Sequence, residues 1–158
     1  MSNALLEAGS NFGGATQLHV SGGGTDKRTF VRFDLSCLPS TAEVKSAKLR
    51  LVLATAPSQS RTYVGHRVSA SWAEGSIRWD NQPGIGTSIG SVATGTANGV
   101  TLQWTVTADV QAFVNSPASN NGWRIADSDE GALLGSQEGR FGSSEGTGGP
   151  VLEVVFYP

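Results

Sequence analysis

The stretch Arg28 to Leu53, RTFVRFDLSCLPSTAEVKSAKLRLVL, limits what this chain can fold into more than any other. Val31, Phe33 and Leu35 alternate with Arg32 and Asp34, and Ala47, Leu49, Leu51 and Leu53 alternate with Lys48 and Arg50. Successive side chains leave a strand on opposite faces, so a period of two with one apolar side means a half-buried antiparallel strand. The odd-numbered residues 31–35 and 47–53 are therefore read as buried and their even neighbours as solvent-facing. Leu38-Pro39-Ser40-Thr41 makes the crossing between the two strands.

The rest of the chain repeats the pattern in shorter pieces. Strands are predicted from Thr16 to Ser21, ending at the Gly22-Gly23-Gly24 tip, and from Thr62 to Ser69, with Val64, His66 and Val68 inward and Tyr63 and Arg67 outward. Further strands are predicted around Ser76 to Trp79, at Leu102-Trp104-Val106, over Gly122 to Ala126, over Gln137 to Ser143 and from Val151 to Tyr157. Gly84 to Gly99 is rich in Gly, Ser and Thr, yet Ile85, Ile89 and Val92 make it a packed segment and not a linker. One helix is predicted, capped by Thr107, with Val110, Phe113 and Val114 on one face and a stop at Asn115-Ser116-Pro117. The fold class is all-β: a two-sheet antiparallel β-sandwich of jelly-roll type with one short helix, a closed barrel being the weaker alternative.

At 158 residues the chain makes a single domain, 1–158, in which about two-thirds of the extended-chain surface is buried. The opening Met-Ser-Asn-Ala reads as a vector-derived remnant. The 21 glycines and the charged fraction of 15% suit short strands and tight turns. Nothing approaches the length of a membrane-spanning helix. The one cysteine, Cys37, excludes an internal disulfide and reads as a small buried hydrophobe. The net charge of −2 lacks the concentrated basic excess of a nucleic-acid binder.

An ordered series of motifs runs through the chain: Asn11-Phe12-Gly13, Val31-Arg32-Phe33-Asp34-Leu35-Ser36, Leu38-Pro39 and Val44-Lys45-Ser46-Ala47-Lys48-Leu49. Ser71-Trp72-Ala73-Glu74, Ile77-Arg78-Trp79-Asp80-Asn81-Gln82-Pro83, Trp104-Thr105-Val106-Thr107, Asn121-Gly122-Trp123, Phe141-Gly142-Ser143-Ser144-Glu145 and Pro150-Val151-Leu152 follow. This succession resembles the DNRLRE-type domain, a β-sandwich module of secreted and cell-surface proteins. Some of its relatives accompany polysaccharide lyases as carbohydrate-binding modules. The similarity covers essentially the whole chain, although the string that names the family is absent and the leading strand is altered. The resemblance implies an extracellular or cell-surface location and a carbohydrate-binding-like role.

Four constellations bear on chemistry. Catalysis has little to stand on: there is no nucleophile elbow, His66 reads as a hydrogen-bonded core residue and His19 as solvated, so the reading is non-catalytic. Asp127-Ser128-Asp129-Glu130-Gly131 offers hard oxygen donors, and Asp127, Asp129 and Glu130 are the candidate ligands of a structural calcium. Trp72, Trp79 and Trp104 read as core, Trp123 as more open. The fourth is a basic strip. Arg32, Lys48, Arg50 and Arg67, with Tyr63, are predicted to point outward from neighbouring strands and to hold an acidic polysaccharide, whose carboxylates suit guanidinium forks. The competing reading is a structural or adhesive subunit of an extracellular assembly, joining copies of itself or adjacent domains by strand addition.

Overall fold

The computed structural model describes residues 2–7, 10–23, 25–131 and 137–158, with side chains from residue 11 onward. The strands are β1 (Ser2–Glu7), β2 (Ser10–Asn11), β3 (Gln17–Gly22), β4 (Arg28–Arg32), β5 (Glu43–Thr55), β6 (Thr62–Val68), β7 (Ile85–Ala93), β8 (Val100–Thr105), β9 (Trp123–Asp127), β10 (Gln137–Gly142) and β11 (Val151–Tyr157), with the helix α1 (Thr107–Asn115) between β8 and β9. They form two antiparallel sheets packed as a sandwich. The first has the order β2-β1-β4-β9-β6-β7, and the second β11-β5-β10-β3 with β8 also paired to β5.

The organising alternation holds in β5. Ala47, Leu49, Leu51 and Leu53 are fully buried, while Lys48, Arg50 and Val52 are partly exposed. Val31 is fully buried in the same core, and Phe33 and Leu35 pack against its edge. Leu18, Val20, Tyr63, Trp104, Trp123, Ile125 and Phe141 complete the interior between the sheets. Ser2, Asn3 and Ala4 pair with Arg32, Val31 and Phe30, so these three of the residues read as a remnant lie within a strand of the first sheet.

Several local readings change. Val106, not Thr107, occupies the helix cap, and the Thr107 hydroxyl instead accepts the Ala47 N–H at 3.0 Å. Ser76 to Trp79 is a loop leading into a 3-10 turn at Trp79–Asn81, because the Asn81 side chain accepts the Arg78 N–H at 2.6 Å and donates to the Ser76 carbonyl at 2.9 Å. A strand, β7, runs through the Gly/Ser/Thr-rich segment. Cys37 is exposed, since the turn that follows Leu35 carries it away from the core. Trp123 is 1% exposed, its Nε1 donating to Asp109 at 2.8 Å. Gly24, at the predicted loop tip, lies outside the described residues.

The largest correction concerns β6. Tyr63, Gly65 and Arg67 stand opposite Asp127, Ile125 and Trp123 of β9, all on the interior face, and the register to β7 shifts around His66. Tyr63 is therefore fully buried. Its hydroxyl donates to the Val20 carbonyl at 3.2 Å and its ring meets Phe141 edge-on. Burial pushes its phenol well above the usual tyrosine range.

A Cβ on Gly139 would collide with the Tyr63 hydroxyl. Gly139→Ala should cost about 1–3 kcal/mol by overpacking, and Tyr63→Phe about 1 kcal/mol through the orphaned carbonyl. Removing the hydroxyl also opens the room that the added methyl needs. Urea titration of the double variant should thus show a loss smaller than the sum; simple additivity would contradict this packing.

Candidate functional site

Pairing across strands fixes what shares a face. Thr29 and Val31 of β4 turn into the sandwich, so Arg28, Phe30 and Arg32 turn outward. A registered row then crosses the outer face of the first sheet: Phe30 opposite Arg124, Arg124 opposite His66, and His66 opposite Ser88. Part of this face is roofed by the segment between β6 and β7. Phe30, Val68, Trp72 and Ile77 form a small buried cluster there with Trp79 against it, and Phe30 meets Trp72 edge-on at 5.7 Å.

The roof is held by polar bonds to its own backbone. Asn11 donates to the carbonyls of Glu74 and Ile77 at 2.8 and 2.6 Å. Trp72 Nε1 donates to the Asn121 carbonyl at 2.8 Å. Arg32 donates to the Trp72 carbonyl at 3.2 Å and lies over its ring at 5.0 Å. Arg28 stacks on Trp79 at 4.2 Å and donates to Gln82 at 2.8 Å. The Trp-Asp-Asn-Gln-Pro motif thus shapes a turn whose ring and amide reach the strand face. A cavity of about 380 Å³, lined by Ser71, Trp72, Ala73, Ser76, Ile77 and Asn81, opens beside it.

The predicted strip divides between four environments. Arg32 lies on the outer face of the first sheet, under the roof. Lys48 and Arg50 lie on the outer face of the second, where Arg50 bonds Glu153 at 2.7 Å and Gln103 at 3.0 Å. Lys48 there faces Glu153 and Thr105 in register. Tyr63 is in the core. Arg67 turns to the interior end of the sandwich, 4.6 Å over the Phe113 ring and 3.8 Å from Asp109. These residues form no common surface, because β4 and β5 belong to different sheets and the inside and outside of β6 are reversed.

The acidic loop is likewise engaged. Asp127 has a fully buried side chain, held by Arg61 through two bonds of 2.9 Å. Glu130 is held by Arg28 at 2.8 and 2.6 Å. Asp129 is exposed, with a carboxylate oxygen 3.9 Å from Arg61. Among the described residues no group of His, Cys, Asp or Glu is arranged to hold a metal, and this loop serves as a clasp of ion pairs.

Arg124, which the alternation of β9 puts beside apolar neighbours, had no motif to mark it. It is half-buried, its buried Nε has no hydrogen-bond partner, and among the described residues it makes no ion pair. Burial, and then the charge of Arg28, lower its pKa, with Glu130 opposing. His66 beside it is partly buried on the outer face, and its Nδ1 also lacks a partner. It is not the satisfied core histidine expected. Burial, then Arg124, lower its pKa as well. His19, whose buried Nδ1 likewise makes no hydrogen bond, stands 3.1 Å from Glu138. Burial opposes the Glu138 charge, but hydrogen bonds from Lys27 and Arg140 hold this carboxyl at about 2.

A half-buried guanidinium with an unbonded Nε is costly, and the row Arg124–His66, flanked by Arg28 and Trp79, concentrates positive charge on this face. The model of carbohydrate-binding module family 96 matches residues 4–156. The chain belongs to that family. No curated protein matches it. Membership makes the family 96 domain a glycan-binding module, a class whose members generally bind without catalysing. Among the described residues no helix is long and apolar enough to cross a membrane.

Two arginine variants should behave oppositely in thermal melts. Arg124→Met removes an unpaired charge and should leave stability equal or higher, by up to about 2 kcal/mol. Arg61→Met strands buried Asp127 and should cost about 3–5 kcal/mol. A large loss at Arg124 would show that its charge is satisfied within the fold.

Proposed function

We propose that this family 96 module is a non-catalytic domain of an extracellular or cell-surface protein that holds an acidic polysaccharide on the outer face of its first sheet. The observation that supports this most is Arg124, a half-buried cation whose buried Nε has no hydrogen-bond partner and whose nearest counter-charge, Glu130, is held by Arg28. A uronate or sulfate group would supply the missing partner, through the paired bonds a planar guanidinium makes with such oxyanions. His66 lies next to it in register. Trp79, carrying Arg28 on its ring, brings an aromatic surface to the same side, and sugar rings pack well on such surfaces. The DNRLRE-type resemblance agrees with a secreted setting and with this class of ligand.

One charged contact is not enough. Millimolar to micromolar binding corresponds to about 4–8 kcal/mol, so several subsites along a polymer must act together. Affinity electrophoresis and calorimetry with alginate, pectate and a neutral glucan test the reading. The acidic polymers should retard the domain and the neutral one should not. Arg124→Gln should weaken binding about tenfold or more, and Lys48→Gln, on the opposite sheet, by less than about threefold. Equal retention of Arg124→Gln and wild type would refute this location.

The pH dependence follows from linkage. In the free domain His66 titrates below its ordinary value, through burial and Arg124. A bound anion raises that pKa, so the complex takes up a proton. Affinity should rise as pH falls through the bound-state pKa, and level off below the free-state one. His66→Gln should flatten this profile while retaining binding. An unchanged profile in that variant would exclude His66 from the contact.

A further inference from the structure

Of the strands at sheet edges, four are blunted. β8, on the side of β5 away from β11, lies against β7. β7 is a run of Gly, Ser and Thr with single apolar residues, lying against β8 of the other sheet. β2 has two residues. β3 is tied to the chain entering β4 by the bridge from Ser21 to Lys27. β11 is different. It pairs with β5 and, among the described residues, with no other strand, so one backbone edge is open. Its sequence VLEVVFY has one charge, and none of its residues is buried. Val151, Val155 and Tyr157 are exposed by 53%, 53% and 61%, and only Ile85 and Val100 join them as exposed large hydrophobics among the described residues.

Soluble proteins protect such an edge with lysine, proline or a covering element. Here the one charge is partly offset from within: Glu153 is gripped by Arg50 at 2.7 and 3.4 Å. Its other neighbour on that face is Lys48, its register partner in β5. An incoming strand therefore meets apolar side chains and open backbone groups, with one carboxylate that Arg50 offsets only in part, 45% of the Glu153 side chain being exposed.

We propose that β11 is a self-association edge, pairing antiparallel with β11 of a second copy about a two-fold axis. Charge selects both the partner and the direction. Parallel stacking in register places Glu153 on Glu153, and like charges directly opposite are unfavourable. An antiparallel pair centred on Val154 places Glu153 opposite Val155 and Val154 opposite itself. The same register sets Leu152 against Phe156 and Val151 against Tyr157, the aromatic and branched pairs that stabilise sheets. The bulge between Val155 and Phe156 lies beyond the central pairs. An edge of this kind is complementary to itself, as an isologous two-fold contact requires. The pairing uses the second sheet and leaves Arg124 and His66 of the first open in both copies, so the dimer is bivalent toward a polymer.

Sedimentation equilibrium from micromolar to millimolar concentration, with reductant present because Cys37 is exposed, tests the proposal. The wild type should show a monomer–dimer equilibrium. Its β11 amides should exchange more slowly as concentration rises. Val151→Lys/Val155→Lys, both at exposed positions, should raise the dimer Kd about tenfold or more with an unchanged melting temperature. Arg124→Gln should dimerise like wild type. The proposal fails if the wild type stays monomeric throughout. It fails equally if association is open-ended, if β11 exchange ignores concentration, or if the lysine variant dimerises as well as wild type.

Discussion

The structure depends on one strand carrying apolar and polar residues in strict alternation. β5 pairs with β11, β8 and β10, so it is the shared member of the second sheet. Ala47, Leu49, Leu51 and Leu53 are fully buried against the first sheet. A slip of one residue would turn Lys48 and Arg50 inward in place of Leu49 and Leu51. That penalty sets the register of β5, and through it the facing residues Leu102 and Trp104 of β8 and Leu152 and Val154 of β11. The outward residues Lys48, Arg50, Gln103 and Glu153 follow from the same choice.

Periodicity made the sandwich legible because it is local and because β5 obeys it from Ala47 to Leu53. It failed at β6, where Tyr63 and Val64 were read in opposite senses. Tyrosine and valine both suit a buried strand face, and a glycine at position 65 removes the side chain that would have decided between them. Gly65 sits where an added Cβ would strike Ile89 and Ile125, which marks the interior side. A two-residue period says which residues share a face, but not which face is inside when both are apolar. Nor does it say which sheet a strand joins. Arg32 and Lys48 have equivalent places in their own strands yet lie on opposite sides of the molecule.

The proposed site was readable only in retrospect. Arg124 stands in Trp-Arg-Ile-Ala-Asp, a short apolar strand with a single cation, and nothing in its neighbourhood distinguishes it from Arg67 or Arg50. What separates them is where the carboxylates go. Asp127 answers Arg61, Glu130 answers Arg28, Glu153 answers Arg50 and Asp109 approaches Arg67. These partners lie far apart in sequence, so the residual unmatched charge emerges only once the chain is folded. His66 was misplaced for the same reason that Tyr63 was.

The two surfaces left with unmet interactions are of different kinds and sit on different sheets. At Arg124 and His66 the unmet interaction is polar: burial weakens hydration while Glu130, held by Arg28, only partly offsets the charge, which is the basis of the ligand proposed there. At β11 the unmet interaction is backbone hydrogen bonding and apolar area, which favours another strand. Neither could serve the other's purpose. A strand cannot neutralise a guanidinium set in the face of a sheet, and an acidic sugar gains nothing from an apolar edge whose one carboxylate is already paired. A sandwich separates these roles because its two sheets share an interior but not an outer face, so a partner at one edge leaves the opposite face free.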